Sequence, residues 1–222
     1  MLLIQLIIGL IIGSFLFASY SRLQLGGSIF YPARSRCDSC SETISWFDLV
    51  PVVSYLVLRG RCRWCGFKIS KETLYSEIYF GCLLVSWQPT LLRFCYVVIG
   101  GLLFFMALND SRHFEFPAWH GYLLMLFAVT VYALFKPHHA IIFIIIVGWI
   151  VPQIWQPHFA WIGNGDLDVF LCLLILFGPI PFAWLLLLSS VLALIGSKVL
   201  KLCRLPFVPF IAAGYLVVLF FI

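Results

Sequence analysis

Apolar runs fill this chain almost from end to end, broken at intervals by small clusters of charge, and that pattern limits the fold more than any single motif. Of 222 residues, 63% are hydrophobic and only 10% charged, whereas a soluble domain carries about a quarter charged residues. A spanning helix needs roughly 20 apolar residues, fewer where the helix is distorted or the bilayer thinned. Candidate spans are 2–20, 74–87, 91–108, 119–135, 139–151, 168–177, 181–200 and 207–222. The expected fold is an all-α polytopic membrane protein with about eight transmembrane helices and a small cytoplasmic zinc-ribbon-like loop. Residues 2–20 read as a retained first span rather than a removable signal, because no basic n-region or small-residue cleavage site accompanies them. Gly178-Pro179 and Pro181 interrupt the apolar stretch near 168–200, which is either one kinked helix or two short ones.

Charge placement orients the spans. Eight of the fourteen Lys and Arg residues fall between Ser21 and Thr73, and only four acids share that stretch. A nucleic-acid surface is one reading of such a cluster. In so apolar a chain, a cytoplasmic loop facing anionic membrane lipid is the better one, so no nucleic-acid partner is expected. With eight spans and the N-terminus outside, the 21–73, 109–118, 152–167 and 199–206 segments share one side. That side then holds twelve of the fourteen cations, leaving Arg93 and Lys136 opposite. The positive-inside rule makes it cytoplasmic.

The 21–73 loop contains Cys37-Asp-Ser-Cys40 and Cys62-Arg-Trp-Cys65, two Cys-x-x-Cys pairs separated by twenty-one residues. Each pair can set two thiolates on a tight turn, and two such turns complete a tetrahedral shell. The expected ligands of a structural zinc are therefore Cys37, Cys40, Cys62 and Cys65. Two disulfides or reactive thiols are the alternatives, and a reduced cytoplasmic compartment weighs against disulfides. Cys82, Cys95, Cys172 and Cys203 are scattered on apolar stretches and read as small buried hydrophobes.

Nine acids exist in the chain, and Asp110, Glu115, Asp166 and Asp168 fall at span boundaries, while Glu77 lies just inside the second span. Ionisable groups at membrane depth are expensive and mark functional sites by default. Asp166 ends Gly163-Asn164-Gly165-Asp166, whose glycines leave room for an extended substrate strand beside the carboxylate. Two carboxylates brought together can divide the work of peptide hydrolysis. One stays ionised and takes a proton from water; the other stays protonated and polarises the scissile carbonyl. The plainer alternative is that Asp110 and Asp166 cap helices or pair with Arg112 or Arg93. His113, His120, His138, His139 and His158 form no recognisable metal motif.

Taken together, these motifs resemble the prepilin peptidases, or type IV leader peptidases, of the Gly-x-Gly-Asp aspartyl protease group. The resemblance runs nearly end to end. It opens with Gly13-Ser14-Phe15-Leu16, Tyr20 and Arg22-Leu23, and is most specific from Arg34 through Cys40, Ile44 through Asp48, Pro51, Ser54-Tyr55 and Leu58 through Cys65 to Ile69-Ser70. Glu72 and Glu77 fall where the family places acids before its second span. Asp110 opens, and Phe116-Pro117 closes, a motif like that of the first catalytic aspartate; Asp166 matches the second. Leu205-Pro206-Phe207-Val208-Pro209-Phe210 is similar to the family's Pro-Phe-x-Pro-Phe signature. The resemblance implies an aspartic endopeptidase of the bacterial plasma membrane, with catalytic Asp110 and Asp166 at the cytoplasmic face. Its substrates would be type IV prepilins or related pseudopilins, cut after a glycine just before their hydrophobic helix. Many such enzymes also methylate the new N-terminus with S-adenosylmethionine, an activity linked to the cytoplasmic loop. The expected organisation is a first transmembrane helix (1–20), a cytoplasmic four-cysteine domain (21–73) and a membrane-embedded peptidase domain (74–222). Two positions depart from the pattern. Asp38 stands where a proline often follows the first cysteine, and Asp168 stands where Lys is common two residues after Asp166. A cation there would favour ionised Asp166, whereas an acid disfavours it. The rival of another class is a non-catalytic scaffold or a transporter carrying a zinc-binding docking loop.

Overall fold

The computed structural model describes residues 1–29, 34–114, 117–135, 149–150, 164–200 and 205–221. Among them the chain is helical, with two isolated antiparallel bridges as its only extended pairing. The helices are α1 (Leu2–Gln24), α2 (Val53–Val57), α3 (Lys71–Val85), α4 (Leu91–His113), α5 (Ala118–Phe135), α6 (Asn164–Phe177), α7 (Pro179–Leu200) and α8 (Val208–Phe221). A single 3-10 turn, Trp46–Leu49, precedes α2. Among the described residues α1, α4, α5 and α7 are long and apolar enough to cross a membrane. The chain is thus an integral membrane protein with an all-helical fold. At 15, 14 and 14 residues, α3, α6 and α8 are about 21–23 Å long, less than a hydrocarbon core of about 30 Å. The expected span at 139–151 lies almost wholly outside the described residues.

Hydropathy marked the apolar part of each helix rather than the helix itself. α4 continues through Asn109-Asp110-Ser111-Arg112-His113, and α1 to Gln24. The 168–200 stretch is two helices. Gly178 takes a left-handed φ of +83°, which glycine adopts without a Cβ penalty, and its N–H closes α6 on the Leu174 carbonyl at 2.8 Å. Phe170 and Phe182 then meet edge to face at 6.3 Å. Twelve residues of continuous helix would hold them about 18 Å apart, so the chain reverses at Gly178.

Two compact units result, Met1–Trp87 and Gln88–Ile222. In the first, α1 and α3 form an antiparallel pair. Gln5 Nε2 donates to the Trp87 carbonyl at 2.9 Å. A Cβ on Gly9 would strike the Phe80 carbonyl oxygen, and one on Gly13 would lie 2.5 Å from that of Ser76. The Gly9-x-x-x-Gly13 spacing lets the two backbones touch, as in small-residue helix pairs of membranes.

In the second unit five helices close a ring: α4 packs on α5, α5 on α6, α6 on α7, α7 on α8, and α8 back on α4. One end is fixed by an aromatic layer. Phe177 lies 5.8 Å from Tyr96 and 5.5 Å from Tyr215, the Tyr215 hydroxyl donates to the Tyr96 carbonyl at 2.7 Å, and Arg93 Nη1 donates to the Leu219 carbonyl at 3.1 Å. The end of α6, the start of α4 and the end of α8 therefore share one level, and the opposite ends of these three helices share the other.

Candidate active site and metal centre

The two boundary aspartates both belong to that other level. Asp110 lies fourteen residues beyond Tyr96, about 21 Å along α4, and Asp166 lies eleven residues before Phe177, about 16 Å along α6. Asp110 is buried, and its Oδ2 accepts the backbone N–H of Val208 at 3.0 Å. That bond completes the start of α8. The first N–H groups of a helix have no intrahelical partner; here Pro209 has none to offer, and those of Phe210 and Ile211 both reach the Phe207 carbonyl. Val208 is left with the one N–H that needs an acceptor from elsewhere, and Asp110 supplies it across the helix interface. The Pro-Phe-Val-Pro-Phe segment is thus a device for aiming a single N–H at the end of α4.

Asp166 is half-buried in the first turn of α6. Gly163 and the side chain of Asn164 fall outside the described residues, as do Glu115, Phe116, His138, His139, His158 and Cys203. Phe170, one turn further on and on the same face as Asp166, packs edge to face on Phe207 at 6.0 Å. Phe207 adjoins the residue that bonds Asp110. A short path, Asp110 to Val208–Phe207 to Phe170, therefore runs from one aspartate to the face that carries the other. Asp168 stands about 200° around the helix from Asp166 and looks elsewhere. Its Oδ1 accepts the indole N–H of Trp149 at 3.0 Å, and its Oδ2 lies 3.0 Å from where a Cβ on Gly121 of α5 would stand.

Of the plainer alternatives, Arg93 is committed to the far end of α8, about 25 Å along α4 from Asp110. Capping does describe the Asp110–Val208 bond, but capping alone needs only an oxygen acceptor, which Asn or Ser would provide.

The four cysteines meet in the first unit. All four Sγ atoms lie within 4.8 Å of one another, and Cys37 and Cys65 are 3.8 Å apart. Thiolates about 2.3 Å from a tetrahedral zinc stand about 3.8 Å from each other, so the cluster has the dimensions of a metal shell. The two turns are built alike. Cys37 N–H bonds the Glu42 carbonyl and Cys62 N–H the Phe67 carbonyl at 2.9 and 2.8 Å. Arg36 bridges Thr43, and Arg61 bridges Lys68. The residue after each second cysteine is left-handed, Ser41 at φ +58° and Gly66 at +69°. N–H groups of Cys65 and Trp64 pull the Cys62 thiol down to about 7. Cys40 receives a backbone N–H from Glu42 that favours its thiolate, yet burial and the neighbouring thiols of Cys65, Cys37 and Cys62 push it up to about 12. Asp48 and Arg63 tie the second turn to the 3-10 turn through two bonds of 2.9 and 2.6 Å, which holds the Asp48 carboxyl below its usual range.

Three working contacts were not visible in the sequence: Val208 as the partner of Asp110, Trp149 as the partner of Asp168, and the bond from Val52 N–H to Glu77 Oε2 at 2.7 Å. Each joins residues from different elements; the sequence marked the acids Asp110, Asp168 and Glu77 but not which donor each would meet. Cys172 is buried as expected, while Cys82 and Cys95 are partly covered.

Residues 7–89 match the family model described as the bacterial peptidase A24 N-terminal domain. A prepilin leader peptidase/N-methyltransferase of Myxococcus xanthus is 37% identical over 50% of this chain and 34% of its own length. Proteins of the same name from Bacillus subtilis and Vibrio cholerae are each 28% identical over 96% of this chain, and over 92% and 94% of their own lengths. No solved structure matches the chain.

Proposed function

We propose that this chain, which belongs to the prepilin leader peptidase family, is an aspartic endopeptidase that removes the leader of type IV prepilins or competence pseudopilins at the cytoplasmic face of the bacterial plasma membrane. The relatives that match it over nearly their whole length carry the names prepilin leader peptidase and N-methyltransferase. The observation that carries the reading on this chain's own residues is the arrival of Asp110 and Asp166 at one level of a closed helix ring, joined through Phe207 and Phe170. Acids at a helix end suit a substrate cut next to its own membrane helix, whereas a transporter would bind at mid-membrane.

In this mechanism one aspartate is ionised and removes a proton from a water molecule, whose oxygen attacks the scissile carbonyl carbon. The other aspartate, protonated, donates to the carbonyl oxygen. The tetrahedral intermediate collapses with cleavage of the C–N bond: the leaving amine takes a proton from the aspartate that first accepted one, and a hydroxyl of the intermediate returns its proton to the other aspartate, which restores the starting pair. The Val208 N–H fixes one oxygen of Asp110, so that its carboxyl keeps a single orientation through the cycle. The pair titrates as a unit. We assign this chemistry to residues 74–222, the zinc module to the cytoplasmic segment 21–73, and the first transmembrane helix to 1–20.

Cys37, Cys40, Cys62 and Cys65 would hold one zinc ion, which when bound cross-links the two turns and leaves no position open for water. S-adenosylmethionine-dependent methylation of the new N-terminus is the second activity we propose. The test is co-expression with a prepilin. Leader removal is followed by gel shift, and mass spectrometry of the product reads methylation directly. Failure of the wild-type chain to shift any prepilin or competence pseudopilin would overturn the peptidase reading, and an unmethylated product would remove the methyltransferase.

A further inference from the structure

The four-cysteine module leaves a large apolar surface uncovered. The 3-10 turn Trp46–Leu49 and α2 pack on one another, and between them Trp46 is 79% exposed, Leu56 64% and Val57 70%. Single exposed apolar residues are ordinary, but a cluster of this size marks a contact surface. Three observations identify what it meets.

The first is depth. α3 changes from polar (Lys71, Glu72, Thr73) to apolar at Leu74, which sets its membrane boundary. Glu77 lies three residues further in, about 4–5 Å below that boundary, and is 4% exposed. Its carboxylate accepts the N–H of Val52, the residue that starts α2. Val52 takes a φ of +62°, an unfavourable conformation for a β-branched residue. The bond therefore pins the beginning of α2 at headgroup level. The second is charge. Arg59, Arg61 and Lys68 follow α2 closely in the chain and are all exposed, while the exposed Arg63 is paired with Asp48. The third is that Arg61 and Lys68 face each other across an antiparallel bridge, where opposed like charges destabilise unless an anion sits between them.

We propose that the Trp46–Leu49 turn and α2 are seated in the headgroup layer of the bilayer, with their apolar side chains at the acyl boundary and Arg61 and Lys68 sharing the phosphate of an anionic lipid. Aromatic and aliphatic residues flanked by cations are what such an interface takes up. The four-cysteine module then lies against the membrane and does not extend into the cytoplasm.

The test uses the full-length chain with p-benzoylphenylalanine in place of Trp46 or Leu56, reconstituted in phosphatidylcholine vesicles with or without phosphatidylglycerol. Retained zinc verifies that each variant is folded. Irradiation is expected to give lipid adducts at both positions, enriched in phosphatidylglycerol. The Arg61→Gln and Lys68→Gln changes are expected to lower that enrichment about fivefold for each charge removed. Cross-links to another segment of the chain or to a second copy, or no adduct at all, would overturn the proposal. Enrichment unchanged by the glutamines would remove the shared phosphate.

Discussion

The Asp110–Val208 bond separates a catalytic carboxylate from a merely capping one. Replacing Asp110 with Ala removes the acceptor of a backbone N–H in a buried position. An unsatisfied buried donor costs about 1–3 kcal/mol, and the lost packing adds to that. Asp110→Asn keeps a carbonyl oxygen at the same reach. It exchanges a carboxyl oxygen for an amide oxygen as the acceptor, a loss of about 1 kcal/mol or less. The two variants should thus differ in stability by roughly a factor of ten in the folded-to-unfolded ratio, at about 1.4 kcal/mol, while both lose leader cleavage. The assays are thermal unfolding in detergent and prepilin processing in membranes. Equal destabilisation of both variants would refute the hydrogen-bond account of the α8 start. Processing by a well-folded Asp110→Asn protein would refute catalysis by Asp110 and leave capping as its role.

The other predictions concern the same elements. Asp166→Asn is expected to abolish cleavage with normal membrane insertion, because it changes charge without volume; retained processing would exclude it from the reacting pair. Purified protein should contain one zinc per chain, and the variant with serine at Cys37, Cys40, Cys62 and Cys65 none, as read by metal analysis. Backbone N–H groups hold the metal-free Cys62 thiol down to about 7, so the metal-free protein should take up zinc more tightly as pH rises through about 7, read as zinc affinity against pH. Gly9→Leu should separate α1 from α3 and destabilise the hairpin by about 1–3 kcal/mol or more, seen as earlier proteolysis between the helices; the same change at Gly26, whose Cβ would meet nothing within 4 Å, should disturb only the local turn.

Much of this was legible because it depends on local order in the chain. Apolar runs marked the described helices, and the doubled Cys-x-x-Cys marked four thiols that do meet within 4.8 Å of one another. The acids at run ends singled out Asp110 and Asp166 as candidates. Helix ends were misjudged where hydrogen bonding outlasts hydropathy, as in the last turn of α4, since the sequence signal reports lipid contact and not backbone geometry. What stayed hidden depends on which elements meet. The closure of α8 on α4 rests on Tyr96, Phe177 and Tyr215, three aromatics that look like any others in an apolar run. The α1–α3 pairing was encoded in Gly9-x-x-x-Gly13, whose spacing is a known packing signal. Its partner surface at Ser76 and Gly81 has no such regular mark.

Asp168 shows how tertiary contact alters a sequence inference. As a neighbour two residues from Asp166, an acid at this position threatens to disfavour a second ionised carboxylate. On the helix those two residues occupy nearly opposite faces, and the structure gives each its own surroundings. Asp168 turns toward α5, where the missing side chain of Gly121 makes room for it and Trp149 donates a hydrogen bond. Asp166 shares its face with Phe170, toward Phe207 and the residue that bonds Asp110. The acid that departs from the family pattern is thus directed into a packing contact, not toward the proposed reacting pair. A lysine in its place would have to lie against the α5 backbone at Gly121 and would leave the Trp149 indole N–H without its acceptor. The departure at Asp168 and the small residue at Gly121 therefore belong together as one local solution for joining α5 to α6.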